Sequence, residues 1–194
     1  MSDLPKVLLL GDSIRMSYQP LVSEIMQDAA TVTGPADNCQ YSLFTLSSLD
    51  RWIGDLGQPD IIHWNNGLHD CGHNPNRSPR QIPLDMYRAN LEFILARLHA
   101  LTPRVIWASN TPVHPQRPFH NHTWSWRNEE IDRYNETARA LMEAHDVPIN
   151  DLHTQVWDNL DDYLSADQLH LSEAGVTACA QRVANAVSAQ LARA

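Results

Sequence analysis

Ser13 lies in Gly11-Asp12-Ser13-Ile14-Arg15, directly after a short apolar run. A hydroxyl in such a tight strand-to-helix turn is placed as a nucleophile. The turn also opens a helix, whose first N–H groups can stabilise a developing oxyanion. Far along the chain, Asp167-Gln168-Leu169-His170 sets a carboxylate and an imidazole in one turn. A nucleophilic serine needs a base within hydrogen-bond reach, and that base needs a partner to fix its tautomer. His170 and Asp167 can supply these roles. A third run, Asn65-Asn66-Gly67-Leu68-His69-Asp70, offers Asn66 and His69 as side-chain donors to a tetrahedral oxygen. Loss of one such donor typically costs about 3 kcal/mol. Each run also has a plainer reading, with Ser13 and His170 as helix caps, Asp12 and the Asn-Gly pair as turn residues, and Asp167 solvated.

These residues need a frame to bring them together. Val7 to Leu10 is a continuous apolar run, the pattern of a strand buried on both faces. Thr31–Thr33, Asp60–Trp64, Arg104–Ala108 and Val147–Ile149 read as four further strands. Between them the spacing predicts helices over about 18–28 and 49–56, and one opening near Pro83 with Leu84, Tyr87, Leu91, Leu95 and Leu98 on one face. Another helix buries Ile131, Tyr134, Ala138, Leu141 and Met142. The last is capped by Ser172 and buries Val176, Ala180, Val183, Val187 and Leu191. Alternating strands and amphipathic helices give an α/β fold, a parallel sheet with helices on both faces. Sites in such sheets form beyond the carboxyl ends of the strands, where Ser13, Asn66 and Asn110 fall.

Composition narrows the choice. The 194 residues, 43% of them hydrophobic, suit one domain over 1–194, with no linker or repeat to divide it. Fourteen Lys and Arg against 23 Asp and Glu, a formal charge of -9, disfavour a nucleic-acid partner. Neither G-x-x-x-x-G-K nor G-x-G-x-x-G is present for a nucleotide phosphate. Cys39, Cys71 and Cys179 read as reduced thiols, and the N-terminal apolar run of Val7 to Leu10 is too short for a signal or membrane segment. A cytoplasmic protein without a membrane partner is the expectation. Three histidines, His63, His69 and His73, with Asp70, raise a metal site as an alternative without an H-E-x-x-H pattern, and no metal is expected.

Taken together, the three runs resemble the SGNH or GDSL hydrolase superfamily over nearly the whole chain. The resemblance implies a three-layer flavodoxin-like fold with a five-stranded parallel sheet in the order 2-1-3-4-5, and a Ser-His-Asp triad. Gly-Asp-Ser-Ile matches the nucleophile block at Ser13, and Asp-Gln-Leu-His matches the closing block at Asp167 and His170. The family's G-x-N-D block reads Gly67-Leu68-His69-Asp70, so His69 stands where the family has its oxyanion-hole asparagine. The remaining oxyanion donors implied are the N–H of Ser13 and, in the loop Asn38-Cys39-Gln40-Tyr41-Ser42, that of Gln40. Arg15 and the N-x-G-L-H-D run are similar to the PC-esterase branch, whose members act on acyl groups of glycans or lipids.

The expected activity is that of a serine hydrolase without a cofactor, removing an acetyl or other short acyl group from a carbohydrate or related small molecule. Its partner is then a small-molecule or oligosaccharide ester. Asp12, Arg15, Asn110, Trp124 and Arg127 are the candidate substrate contacts, with His114, Phe119, His120, His122 and Trp126 crowded into the same loop. The competing reading is a ligand-binding module of the same fold, its turnover weakened by His69, with the metal-dependent hydrolase third.

Overall fold

The computed structural model describes residues 4–73, 80–117 and 124–193. Five parallel strands, β1 (Lys6–Leu10), β2 (Thr31–Thr33), β3 (Ile61–Trp64), β4 (Val105–Ala108) and β5 (Ile149–Asn150), form one sheet in the order β2-β1-β3-β4-β5. The strands are short runs of Val, Ile, Leu and Trp, and β3 and β4 are buried at every position. That is the composition expected where helices cover both faces.

The helices are α1 (Ser13–Ile25), α2 (Ser42–Leu56), α3 (Leu68–Cys71), α4 (Leu84–Leu101), α5 (Asn128–Ala144), α6 (Leu152–Trp157), α7 (Leu160–Tyr163) and α8 (Glu173–Leu191). α1 packs on α8, while α2 packs on α4 and α4 on α5. The predicted architecture and strand order are those observed.

Register determines where the chemistry collects. Leu10 of β1 is level with Trp64 of β3, and Trp64 with Trp107 of β4. Residues 11–15, 65–70 and 109–111 therefore leave the sheet along one edge. Beneath that edge the indoles of Trp64 and Trp107 meet edge to face at 4.7 Å, a favoured aromatic geometry that keeps the strand ends rigid.

Several boundaries differ from the sequence expectation. α1 begins at Ser13 rather than near residue 18 and carries Pro20 inside it, because Asp12 caps it and accepts the Ile14 N–H at 2.9 Å. α2 begins at Ser42, ahead of the expected residue 49, where the Asp70 carboxylate accepts the Ser42 N–H at 2.9 Å. Pro83 is the N-cap of α4, just ahead of the first turn. Ser172 caps α8 as expected, accepting the Gly175 N–H at 3.1 Å.

Candidate active site

The first turn of α1 exposes Ser13 because its neighbours are held below it. Gly11 has no room for a Cβ, which would lie 2.7 Å from the Arg15 Cβ. The Arg15 guanidinium donates to the carbonyls of Gly11, Pro35 and Asp37 at 3.2, 3.0 and 2.8 Å. Arg15 is 2% exposed. Its place is therefore structural, tying the Gly11–Arg15 turn to the loop after β2, and it is corrected from a substrate contact. Asp12, also buried, is the helix cap described above.

The loop from Leu164 to Leu171 returns to the same edge. Ser13 Oγ lies 3.0 Å from His170 Nε2, and His170 Nδ1 lies 2.5 Å from Asp167 Oδ2. With the carboxylate on Nδ1, that nitrogen carries the proton and Nε2 is left to accept one from Ser13. Burial pushes the Asp167 carboxyl up, but hydrogen bonds from Ser165, His170 and Leu169 outweigh it and hold it well below the ordinary carboxylate range. Asp167 thus stays ionised beside the ring.

The third run divides its work differently from the expectation. Asn66 is 1% exposed, with its Oδ1 accepting from Trp64 Nε1 at 2.7 Å. Its Nδ2 donates to Gln40 O and Thr45 Oγ1 at 3.1 and 2.9 Å. The Asn66 amide is therefore spent on the loop after β2 and is corrected from an oxyanion donor. Asp70 holds the same loop through Ser42, whose Oγ donates to Oδ1 at 2.5 Å. Burial pushes the Asp70 carboxyl up to about 7, against the hydrogen bonds from Ser42. His69, half-buried on α3, lies near enough to Asp12 and His170 for their charges to act on its ring. Burial and His170 push its imidazole down, while Asp12 pushes it up, and the net direction is down. A neutral ring is the outcome, with one N–H to donate.

Gln40 adopts φ +49, the left-handed conformation that glycine takes at least cost. Its N–H donates to Asn38 Oδ1 at 2.8 Å. The loop is where the expectation put it, but this donor is occupied in the free protein.

Asn110 is buried and also corrected from a rim contact. Its Oδ1 accepts the Leu68 N–H at 3.1 Å and its Nδ2 donates to Asn135 Oδ1 at 2.9 Å. The Trp124 ring lies edge-on to His69 at 6.2 Å and stacks on Trp126 at 5.9 Å. Trp126 Nε1 donates to Leu68 O at 2.7 Å, and a backbone bridge joins His73 to Ser125. Arg127 is exposed at the N-cap of α5 and makes no ion pair with a described residue. His114 supports the Asp167 loop, its N–H donating to Gln168 O at 2.9 Å. Phe119, His120 and His122 lie outside the described residues.

The histidine trio disperses. His63 is in the sheet core against Asn150, His73 pairs with Glu130, and His69 stands beside Trp124. Among the described residues no group of three or more His, Cys, Asp or Glu is placed to share an ion.

Sequence reasoning passed over Ser165, Arg117, Gln168, Ser42 and Glu130. Only Ser165 carried a local signal, a serine two places before an aspartate in a turn.

A family model for the GDSL-like lipase/acylhydrolase family matches residues 9–178. Among solved structures, a lipase/acylhydrolase from Enterococcus faecalis is 22% identical, with 96% of this chain and 97% of that one covered and a TM-score of 0.75. The acetyl xylan esterase AlAXEase is 18% identical, with 94% and 99% covered and a TM-score of 0.77. Axe2, an acetylxylan esterase from Geobacillus stearothermophilus, is 16% identical, with 96% and 95% covered and a TM-score of 0.78. No curated protein matches the sequence.

Proposed function

Because the chain belongs to the GDSL-like lipase/acylhydrolase family, we propose that it is a serine esterase that removes acetyl or another short acyl group from a carbohydrate or related small molecule. The observation that carries this reading is the continuous path from Ser13 Oγ to His170 Nε2 at 3.0 Å and from His170 Nδ1 to Asp167 at 2.5 Å.

In the proposed reaction His170 Nε2 takes the Ser13 proton as Oγ bonds to the carbonyl carbon, and Asp167 stabilises the imidazolium. The carbonyl electrons move to oxygen, which meets the Ser13 N–H at the start of α1 and an N–H of His69. Gln40 N–H joins them only by leaving Asn38 Oδ1. His170 then gives its proton to the departing alcohol oxygen as the C–O bond breaks. Water, deprotonated by His170, attacks the acyl-Ser13, and the proton returns to Oγ as the acid leaves.

The stacked Trp124 and Trp126 pair beside His69 suits the apolar face of a sugar ring. Two structural neighbours are named as acetylxylan esterases, and they share the fold at 18% and 16% identity.

Ser13→Ala should lower turnover of p-nitrophenyl acetate on the order of 10⁴-fold or more. A fluorophosphonate should label Ser13 covalently in the unaltered protein. Activity that survives Ser13→Ala would overturn the reading. The ligand-binding alternative is favoured by the Asn38 contact to Gln40 N–H; it predicts no labelling and no turnover.

A further inference from the structure

The turn that carries Asp167 and His170 is held by side chains that take no part in the proposed reaction. Leu164 and Leu171 form an antiparallel bridge, and inside it Ser165 N–H donates to His170 O at 2.7 Å. Gln168, at φ +64, reverses the chain between the two triad members. Within this frame Ser165 Oγ donates to Asp167 Oδ1 at 2.7 Å. The same oxygen accepts the N–H groups of Leu169 and His170 at 3.1 and 2.9 Å. Oδ1 is thereby saturated, and Oδ2 is left to the imidazole.

Ser165 is itself held from outside the turn. One Arg117 nitrogen donates to Leu164 O at 2.6 Å and Ser165 O at 3.1 Å. The other donates to Asp161 O at 2.8 Å. His114, three residues before Arg117, pairs with Asp161 Oδ1 at 3.0 Å. The guanidinium fork thus reads three carbonyls of the loop, a pattern that lysine's single ammonium does not reproduce.

We propose that Ser165, fixed by Arg117, is a positioning residue for the triad: its hydroxyl fills Asp167 Oδ1 so that Oδ2 is presented to His170. The proposal rests on the Ser13–His170–Asp167 reading above. The two backbone donors come from Leu169 and His170, after Asp167 in the chain, and the hydroxyl comes from Ser165, before it. Without it the carboxylate loses one of its fixed partners and the imidazole a defined orientation. The effect belongs to the step that forms imidazolium, so it falls on kcat and leaves KM in place.

The test compares Ser165→Ala, Ser165→Thr, Arg117→Ala and the Ser165→Ala/Arg117→Ala pair by steady-state kinetics on p-nitrophenyl acetate. It also follows the downfield proton resonance of His170 Nδ1–H by NMR. Ser165→Ala should lower kcat roughly tenfold, the scale of one hydrogen bond to a charged group, with KM unchanged and the resonance moved. Ser165→Thr, which keeps the hydroxyl, should restore both. Arg117→Ala should lower kcat by a smaller factor and add nothing in the Ser165→Ala background. Unchanged kcat and an unmoved resonance in Ser165→Ala would overturn the proposal. If Ser165→Ala does not fold, an unmoved resonance in Arg117→Ala would do so. Full activity in Ser13→Ala would overturn the triad and this proposal together, whereas a dead Ser13→Ala beside a fully active Ser165→Ala defeats only the latter.

Discussion

An imidazole stands at position 69 where the resembled family places a carboxamide, and the proposed reaction gives it that carboxamide's role. Burial keeps the ring neutral, and the Asn66 amide that might have replaced it is committed to Gln40 and Thr45. His69→Ala should therefore lower kcat on the order of 10²-fold with little change in KM, the usual loss for one oxyanion donor. His69→Asn should recover most of it, since a carboxamide N–H can reach from the same helix position. Steady-state kinetics on a short acyl ester checks both variants, and an unchanged kcat in His69→Ala would remove His69 from the oxyanion. At this scale the residue types were legible in sequence. Which of Asn66 and His69 is free was not, because the partners that occupy Asn66 come from the loop after β2.

Elements rather than single residues decide how sharply the third run turns. Gly67 has φ +145, and a Cβ there would lie 2.2 Å from Asn110 Nδ2. Asn110 in turn braces Leu68 N–H, the start of α3. Gly67→Ala should destabilise the fold by roughly 3 kcal/mol, or about 10 °C in Tm, through strain and displacement of Asn110. Thermal unfolding followed by circular dichroism measures it, and a Tm within about 2 °C of the unaltered protein would refute the strain. The strands and the long helices were legible because their apolar periodicity is local. The starts of α1 and α2 were not. α2 begins at Ser42 because of a carboxylate 28 positions away, a contact no window of sequence contains.

For the molecule as a whole, acid sensitivity is built into the sheet. His63 of β3 is fully buried, and its Nε2 meets Asn150 Nδ2 of β5 at 3.0 Å. Asn150 Oδ1 accepts from Arg182 Nε of α8 at 3.2 Å, so one path crosses two strands and a helix. Burial pushes the imidazole from 6.5 down to about 4. The unfolded chain thus binds the proton first. Stability contributed by neutral His63 is complete above pH 6.5 and is lost as pH falls toward 4, by roughly 3 kcal/mol for a shift of this size. Because the raised Asp70 carboxyl acts in the opposite sense over the same range, the test is the difference between proteins: urea unfolding between pH 7 and 4 should show stability changing more unfavourably with acid in the unaltered protein than in His63→Gln. Equal slopes would assign the acid sensitivity elsewhere.

By itself the sequence determined a parallel α/β fold, and it placed Ser13, Asp167 and His170 at the ends of elements that such a sheet gathers along one edge. Those features follow from local periodicity, capping and chain order. Tertiary structure alone decided which polar groups remain available there. Arg15, Asn66 and Asn110 are the residue types of a binding site, yet each is consumed by partners 20 to 45 positions away in sequence. Ser13 and His170 approach across 157 positions, and Arg117 reaches the Asp167 turn from 47 positions off. A buried donor is satisfied by whatever the fold brings within about 3 Å, and residue type cannot specify that neighbour.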